Sequence, residues 1–333
     1  MQTILRNVRP WGGPASDIRI ADGVIVAVSP HDPRDQTISG DPATTFIDGR
    51  GLLALPGFIN AHAHLDKSWW GKSWVSYGGE ATTQGRIEHE RLHREALGIP
   101  GVESTTALLR ALVSLGTTAF RTHVDVDLGV GLDGIRVVKD AVAALGVPVG
   151  LEIVAFPQDG VLRRPGVLEL LDRAAAEGAE HVGGLDPASI DRDPVGQLDG
   201  LFDIADRRGV GIDIHLHDGG ELGAFQYELI IERTLATGLA GRVNVAHGFA
   251  IGDVSPARQA ALIEGCGQQA SRSRRWLRST RRGCRWMRFV RPAFRSDSVP
   301  TASGTSGVRT GTATCCGWPH GSLNSPALVA MRS

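Results

Sequence analysis

From Leu52 onward the chain repeats one unit: a short apolar run, a polar closing residue, then a helix-length amphipathic segment. A continuous apolar run suits a strand buried on both faces, and an intervening helix returns the chain to start the next parallel strand. The candidate strands are Leu52 to Ile59, Thr117 to Val126, Val147 to Phe156, His181 to Leu185, Val210 to Leu216 and Arg242 to His247. Between them STTALLRALVSLG, VLELLDRAAAEGA, LDGLFDIADRR and FQYELIIERTLATG keep helical spacing, and several end in the Gly that follows a helix C-terminus. No GxGxxG or Walker motif opens the first helix, so the rhythm predicts an α/β fold of the (β/α) TIM-barrel type rather than an open nucleotide-binding sheet. Residues 1–55 alternate apolar runs (Ile18 to Ile20, Val24 to Val28, Thr45 to Ile47) with Gly, Pro and Asp turn signals and read as a small N-terminal β unit.

In such a barrel the reactive groups sit where strands end. The apolar runs close on His62-Ala63-His64, His123-Val124-Asp125, Phe156-Pro157-Gln158, His215-Leu216-His217-Asp218 and His247. Alternate strand residues share a face, so His62 and His64 both face the barrel mouth and suit one metal ion. In a chain with 11 His a lone His-x-His pair arises easily by chance. Imidazoles at the ends of three different strands, adding His215 and His247, point to a metal centre.

From about Leu52 to about Val254 the segments PGFINAHAHLDK, RTHVDVD, EIVAFPQDG, GGLDPASIDRD, GIDIHLHD and RVNVAHGF resemble, in order and spacing, the amidohydrolase superfamily and its cytosine-deaminase-like branch. The resemblance implies that His62, His64 and His215 are ligands of a divalent metal, Zn2+ or Fe2+, both of which His and carboxylate ligands suit. It implies that His247 is a catalytic residue beside the metal and the attacking water or substrate, and that Gln158 binds the substrate's amide-like edge. The implied reaction is hydrolysis of a cyclic C–N bond, most nearly deamination of a cytosine-like amino ring by metal-bound hydroxide. A nearby acid must then pass a proton to the ring nitrogen or the departing ammonia. Family members place a Glu three residues after the strand-five His; here Asp218 stands there, one methylene shorter, and is assigned that role, with Glu221 as the alternative. His123 and Asp125 are assigned to substrate binding, structural hydrogen bonding at the barrel rim being the other reading. Asp66 and Lys67 fit an ion pair as well as catalysis, and Trp69, Trp70 and Trp74 fit loop packing as well as a lid. The charge run Arg86 to Glu95 reads as a solvated helix face. Two alternatives stand: a ring-amide or N-substituted amino hydrolase on the same site, and a non-catalytic product. The H-x-E and P-C-x-x-C pattern of the other zinc deaminases is absent.

The barrel pattern stops after the sixth strand. Residues 1–264 hold 23 Lys+Arg and 35 Asp+Glu, net -12, whereas 265–333 hold 12 Arg, no Lys and one acid, net +11. All 4 Cys and three of the 7 Trp lie in that last segment. Clustered there, with Cys315 and Cys316 adjacent, the cysteines suit neither a disulfide framework nor a zinc site. Read literally, an Arg-rich stretch with interleaved Trp would bind nucleic acid or an anionic surface. A one-base change of reading frame near Glu264 explains more. Joining the third base of each codon to the next two, the junctions from Pro300 to Cys316 permit DGVRDLWSPYGDGDML, which resembles the family's strand-eight segment with its metal-ligating Asp. Some junctions leave no choice: Cys315-Cys316 forces Leu, Trp318-Pro319 forces Ala and Trp286-Met287 forces Asp. The expected organisation is therefore a β unit (1–55), barrel strands one to six (56–264) and an out-of-frame, poorly ordered basic tail (265–333). A chain so built is expected to retain metal weakly, to be poorly soluble and to have little activity, because two strands and one ligand are missing. The nucleotide sequence from about codon 250 checks this: the shifted frame should stay open and carry the Asp codon, and a closed frame would sink the idea. The partner expected is a nucleobase-like or cyclic-amide small molecule, with no nucleic acid and no membrane. Having no apolar leader and no membrane-length apolar run, the chain is expected to be cytoplasmic.

Overall fold

The computed structural model describes residues 2–34, 44–75 and 78–276, with side chains through residue 268. Four strands form the N-terminal sheet: β1 (Gln2–Pro10), β2 (Ser16–Ala21), β3 (Val24–Pro30) and β4 (Thr44–Ala54), in the order β3-β2-β1-β4. The turn from β2 to β3 is Asp22-Gly23, both with positive φ (48° and 76°), the two-residue hairpin geometry that matches strand twist.

The second sheet has six strands in sequence order, all parallel: β5 (Phe58–Ala63), β6 (Thr117–Asp125), β7 (Gly150–Phe156), β8 (His181–Leu185), β9 (Gly211–Leu216) and β10 (Val243–His247). Helices α1 (Thr83–Leu97) and α2 (Val102–Ser114) follow β5. Helices α3 (Asp133–Ala143), α4 (Val167–Ala176), α5 (Pro194–Arg208), α6 (Gly220–Thr237) and α7 (Pro256–Trp276) follow the next five strands in turn. One core cluster joins inward faces of α2 to α6 to the sheet, including Leu109, Val138, Leu171, Leu201, Ile212 and Ile230. This is an incomplete TIM barrel with a small β sheet beside it in sequence, as the strand–helix rhythm predicts. Among the described residues β5 and β10 each lack a neighbour on one side.

Two boundaries differ from the sequence reading. The expected first barrel strand, Leu52 to Ile59, is divided between the sheets: Leu52 and Leu53 pair with Val8 and Arg9 of β1, and β5 begins only at Phe58. Pro56 lies between, and with no N–H it cannot continue a ladder. Helix α7 also runs straight through Glu264, where the sequence division was placed. Leu262 and Cys266 of α7 pack against the cluster of Leu216, Ala224, Tyr227 and Ala250. The rest of the basic tail lies outside the described residues.

Candidate metal centre

The C-terminal ends of β5, β6, β9 and β10 converge on a group of imidazoles. Pairing of β5 with β6 is irregular between Asn60 and Ala63, whose partners are Phe120 and Thr122, so β5 carries one extra residue across Ala61 and His62. Such a bulge re-aims the strand end. Beyond it, Leu65 is pinned through both backbone groups: its N–H donates to Thr122 Oγ1 (3.0 Å) and its carbonyl accepts from Thr105 Oγ1 (3.0 Å). His62 and His64 are thereby fixed on rigid backbone facing the same space.

Ring centroids of His62 and His215 are 4.7 Å apart, and His123 lies 4.4 Å from each. His215 Nε2 and His64 Nε2 approach to 3.4 Å. One nitrogen of each of His62, His64, His123 and His215 lies within 4.8 Å of the others. The buried Nδ1 atoms of His64, His123 and His215 have no hydrogen-bond partner, while His123 Nε2 lies 3.2 Å from Asp213 Oδ1. Leaving buried nitrogens unmatched costs free energy unless a ligand fills the need. Convergent, mostly neutral imidazoles are a donor set that fits a divalent transition metal.

Burial, followed by repulsion from His123, holds His62 at about 4. Burial and His217 hold His247 at about 4 as well, and burial keeps His64 and His215 well below the ordinary imidazole value. Near neutral pH these rings are unprotonated and free to coordinate. The sign of the pH effect follows. Between pH 6.5 and about 4 the unfolded chain takes up protons that the folded imidazoles refuse, so stability falls as pH falls through that window. Urea unfolding of the metal-free chain at about pH 7.5 and pH 5.0 should therefore show a lower midpoint at the acid pH; an equal or higher one would mean the folded cluster is protonated.

His247 lies 5.2 Å from His62 and 5.0 Å from His215 between centroids. Its backbone is left-handed (φ 65°) and it stacks on His217 at 4.1 Å. Asp125 does not join the imidazoles. Lys67 Nζ lies 2.8 Å from Asp125 Oδ1 and 3.1 Å from Glu90 Oε1. Burial opposes the Lys67 charge, but Asp125, Glu90 and Asp66 outweigh it and hold the ammonium protonated. Gln158 lies nearer α1: its Nε2 is 3.4 Å from Glu90 Oε2 while its Oε1 is buried and unmatched. It lines a cavity of about 190 Å³ with Ile87, Arg91, Asp159, Arg164 and Ile190. Ile87 and Ile190 pack with Phe156, whose ring lies 4.3 Å from that of His215, so cavity and imidazoles share one wall.

Asp218 is held by α6: its Oδ2 accepts from Gln226 Nε2 at 2.9 Å. Glu221 is exposed and meets Arg258 of α7 at 3.3 Å. The residue beside His247 is instead His217, whose Nδ1 is 2.8 Å from Asp186 Oδ2. Asp186 is buried and also accepts the backbone N–H of Asp218 at 3.1 Å. The sequence reading assigns neither a role, yet His217 follows His215 at the same alternate spacing as His62 and His64, and Asp186 closes the apolar run His181 to Leu185.

The charge run of α1 is not simply solvated. Glu90, Arg91 and Arg94 pair with Lys67, Asp159 and Asp127, tying the helix to the strand ends. Its periodicity is amphipathic with charge on both flanks, so a mouth-facing surface looks like a wet one. In the loop after β5, Trp69 Nε1 donates to Ser73 O at 2.7 Å and Lys72 lies over the ring, which is packing within the loop; Trp70 and Trp74 are exposed.

No family model matches the chain. A crystal structure of N-isopropylammelide isopropylaminohydrolase from Burkholderia multivorans superposes with a TM-score of 0.74 at 40% identity, covering 81% of this chain and 66% of that one. The chain belongs to the amidohydrolase superfamily. Within that superfamily it is also 30% identical over 220 residues to N-isopropylammelide isopropyl amidohydrolase of Pseudomonas sp. (strain ADP), covering 62% of this chain and 52% of the relative. The 5-methylcytosine deaminase of Klebsiella pneumoniae superposes with a TM-score of 0.65 at 27% identity, covering 81% of this chain and 64% of that one. The chain thus spans about half the length of the curated relatives it matches. Among the described residues no helix is long and apolar enough to cross a membrane.

Proposed function

We propose that this amidohydrolase-superfamily chain carries the metal-binding part of a hydrolase that cleaves the exocyclic C–N bond of an amino-substituted nitrogen heterocycle. Water replaces the amine at the ring carbon, giving an oxo ring and a free amine. The observation that carries the reading is the convergence of His62, His64 and His215, with the buried Nδ1 atoms of His64 and His215 unmatched. Those three residues would hold Zn2+ or Fe2+. A divalent ion there supplies Lewis acidity and lowers the pKa of a bound water to near neutrality.

The chain's own residues do the rest. Gln158 Oε1 is a buried acceptor free to take a ring N–H, and Phe156 offers a flat apolar wall between cavity and imidazoles. His217, its Nδ1 on Asp186, keeps Nε2 for proton transfer, and it stands against His247. Asp218, the position suggested by the family pattern, has its carboxylate engaged by Gln226. We therefore assign the proton transfer to His217 ahead of Asp218. His217→Ala is expected to lower kcat by about a hundredfold or more with metal content unchanged, while Asp218→Asn stays within about tenfold of the parent. The reverse ranking would return the role to Asp218.

The amine released distinguishes two readings. The 40% identity to a hydrolase named for an N-isopropyl substrate favours an alkylamino ring over a free amino ring such as cytosine. The test is to load the chain with Zn2+ or Fe2+ and measure ammonia from cytosine and 5-methylcytosine against alkylamine from N-alkylamino-hydroxytriazines. Alkylamine supports the first reading and ammonia the second. If neither the metal-loaded chain nor the product of the frame-restored gene releases either amine, the proposal is overturned.

A further inference from the structure

We propose that the cavity between α1 and the loop after β7 is an anion subsite, where Arg91 and Arg163 bind an ionised oxygen carried by the heterocycle on the edge away from the leaving amine. This deepens the hydrolase reading above and rests on it for the chemistry of the ligand. Helix periodicity puts Ile87, Glu88 and Arg91 of α1 on one face, which meets Asp159, Arg163 and Arg164 of the loop across the cavity.

The charges in this lining do not balance. Three guanidiniums, those of Arg91, Arg163 and Arg164, stand against the carboxylates of Glu88 and Asp159. Asp159 is buried and shared: Arg91 approaches it through Nη1, and Arg164 through Nε at 2.5 Å. Glu88 is exposed and lies near enough to Arg164 to favour that cation. Arg163 is left over, since among the described residues its side chain meets no carboxylate and makes no hydrogen bond. Arg91 is only partly used: its Nε is buried without a partner, and 33% of its side chain stays accessible. Planar guanidiniums with donors to spare suit the paired oxygens of a carboxylate or a ring oxyanion.

The segment that carries Arg163 is fixed in advance. The Asp191 carboxylate accepts the backbone N–H groups of Val161 (3.1 Å), Leu162 (3.0 Å) and Arg163 (3.3 Å), and Gln197 Nε2 at 2.8 Å. Three consecutive donors on one carboxylate set where the Arg163 side chain leaves the backbone, so binding loses less to ordering. Ile87 and Ile190, which line the cavity, pack on Phe156, whose ring lies 4.3 Å from that of His215. A ring with its reacting carbon toward the imidazoles therefore turns its opposite edge toward the arginines. A neutral edge gains little there, whereas an anionic one gains charge-assisted hydrogen bonds.

The test is calorimetric titration of the metal-free full chain near neutral pH with three pyrimidines: orotate, which carries a carboxylate; barbiturate, whose ring oxygen is ionised; and neutral uracil. At least one anion is expected to bind about tenfold or more tighter than uracil, with the gap narrowing as salt is added. Preference for orotate assigns the subsite to a pendant carboxylate, and preference for barbiturate to a ring oxyanion. Arg91→Gln is expected to weaken the preferred anion by about 10–100-fold and Arg163→Gln by about fivefold, with uracil unchanged in both. Should Arg91→Gln not fold, Arg163→Gln decides, because the native side chain there holds no ion pair to lose. Equal affinity for all three pyrimidines, or anion binding that neither variant weakens, overturns the subsite. Zinc content of the same preparations separates the two readings: anion preference in a chain that takes up no Zn2+ keeps the subsite and removes the metal reading.

Discussion

His215→Ala is expected to weaken Zn2+ binding by at least about a hundredfold and to take amine release to background. Four-ligand structural Zn2+ sites are worth about 10–16 kcal/mol, so loss of one ligand costs roughly 3–4 kcal/mol, or about two to three powers of ten. His215 lies deep in the cluster. It is 3% exposed, comes within 3.4 Å of His64 through its Nε2, and has an unmatched Nδ1. The variant should fold, because the buried residues on either side, Ile214 and Leu216, keep their packing. Zinc content and chelator competition on the folded variant check this. Binding indistinguishable from the parent would remove His215 from the centre.

Asp127→Ala is expected to be the most destabilising single change away from the imidazoles, by about 3–5 kcal/mol, because it leaves a largely buried cation unpaired. Asp127 is 3% exposed and takes both arms of Arg94, at 2.6 and 2.9 Å, as well as the N–H groups of Gly129 and Val130 at 2.6 and 3.0 Å. Burial opposes the carboxylate, but Arg94 and those backbone donors outweigh it and hold it at about 2. The depressed value means the contribution is present above the ordinary carboxylate pKa and is lost as pH falls toward 2. Since Arg94 lies on α1, the variant should also loosen that helix from the strand ends. Urea unfolding measures the first effect and amide exchange on residues 83–97 the second. A loss below about 1 kcal/mol would class the pair with ordinary surface salt bridges.

Much of the fold is legible in the sequence because its signals are local. Five of the six barrel strands are read from apolar runs ending on polar residues, and α2, α4, α5 and α6 from helical spacing closed by Gly or a turn. The first barrel strand was misplaced because Leu52 and Leu53 are as apolar as Phe58 and Ile59. Only pairing with Val8 and Arg9 assigns them to the other sheet. Helix α1 was recognised but misjudged: a charged face turned to solvent and one turned to Asp127, Asp159 and Lys67 have the same composition.

The site divides in the same way. Strand alternation is a property of the backbone, so sequence alone determined that His62 and His64 share a face, and that His215 and His247 end neighbouring strands. What it could not determine is which side chains from different strands come within a few ångströms. That depends on strand stagger, the bulge across Ala61 and His62 and the twist of the sheet, none of which is encoded within a single run. The tertiary structure therefore decided that His123 stands among the imidazoles while Asp125 turns to Lys67, that Asp213 backs His123, and that His217 on Asp186, rather than Asp218, meets His247. Local geometry sets where a residue points; only packing of the whole sheet sets what it meets.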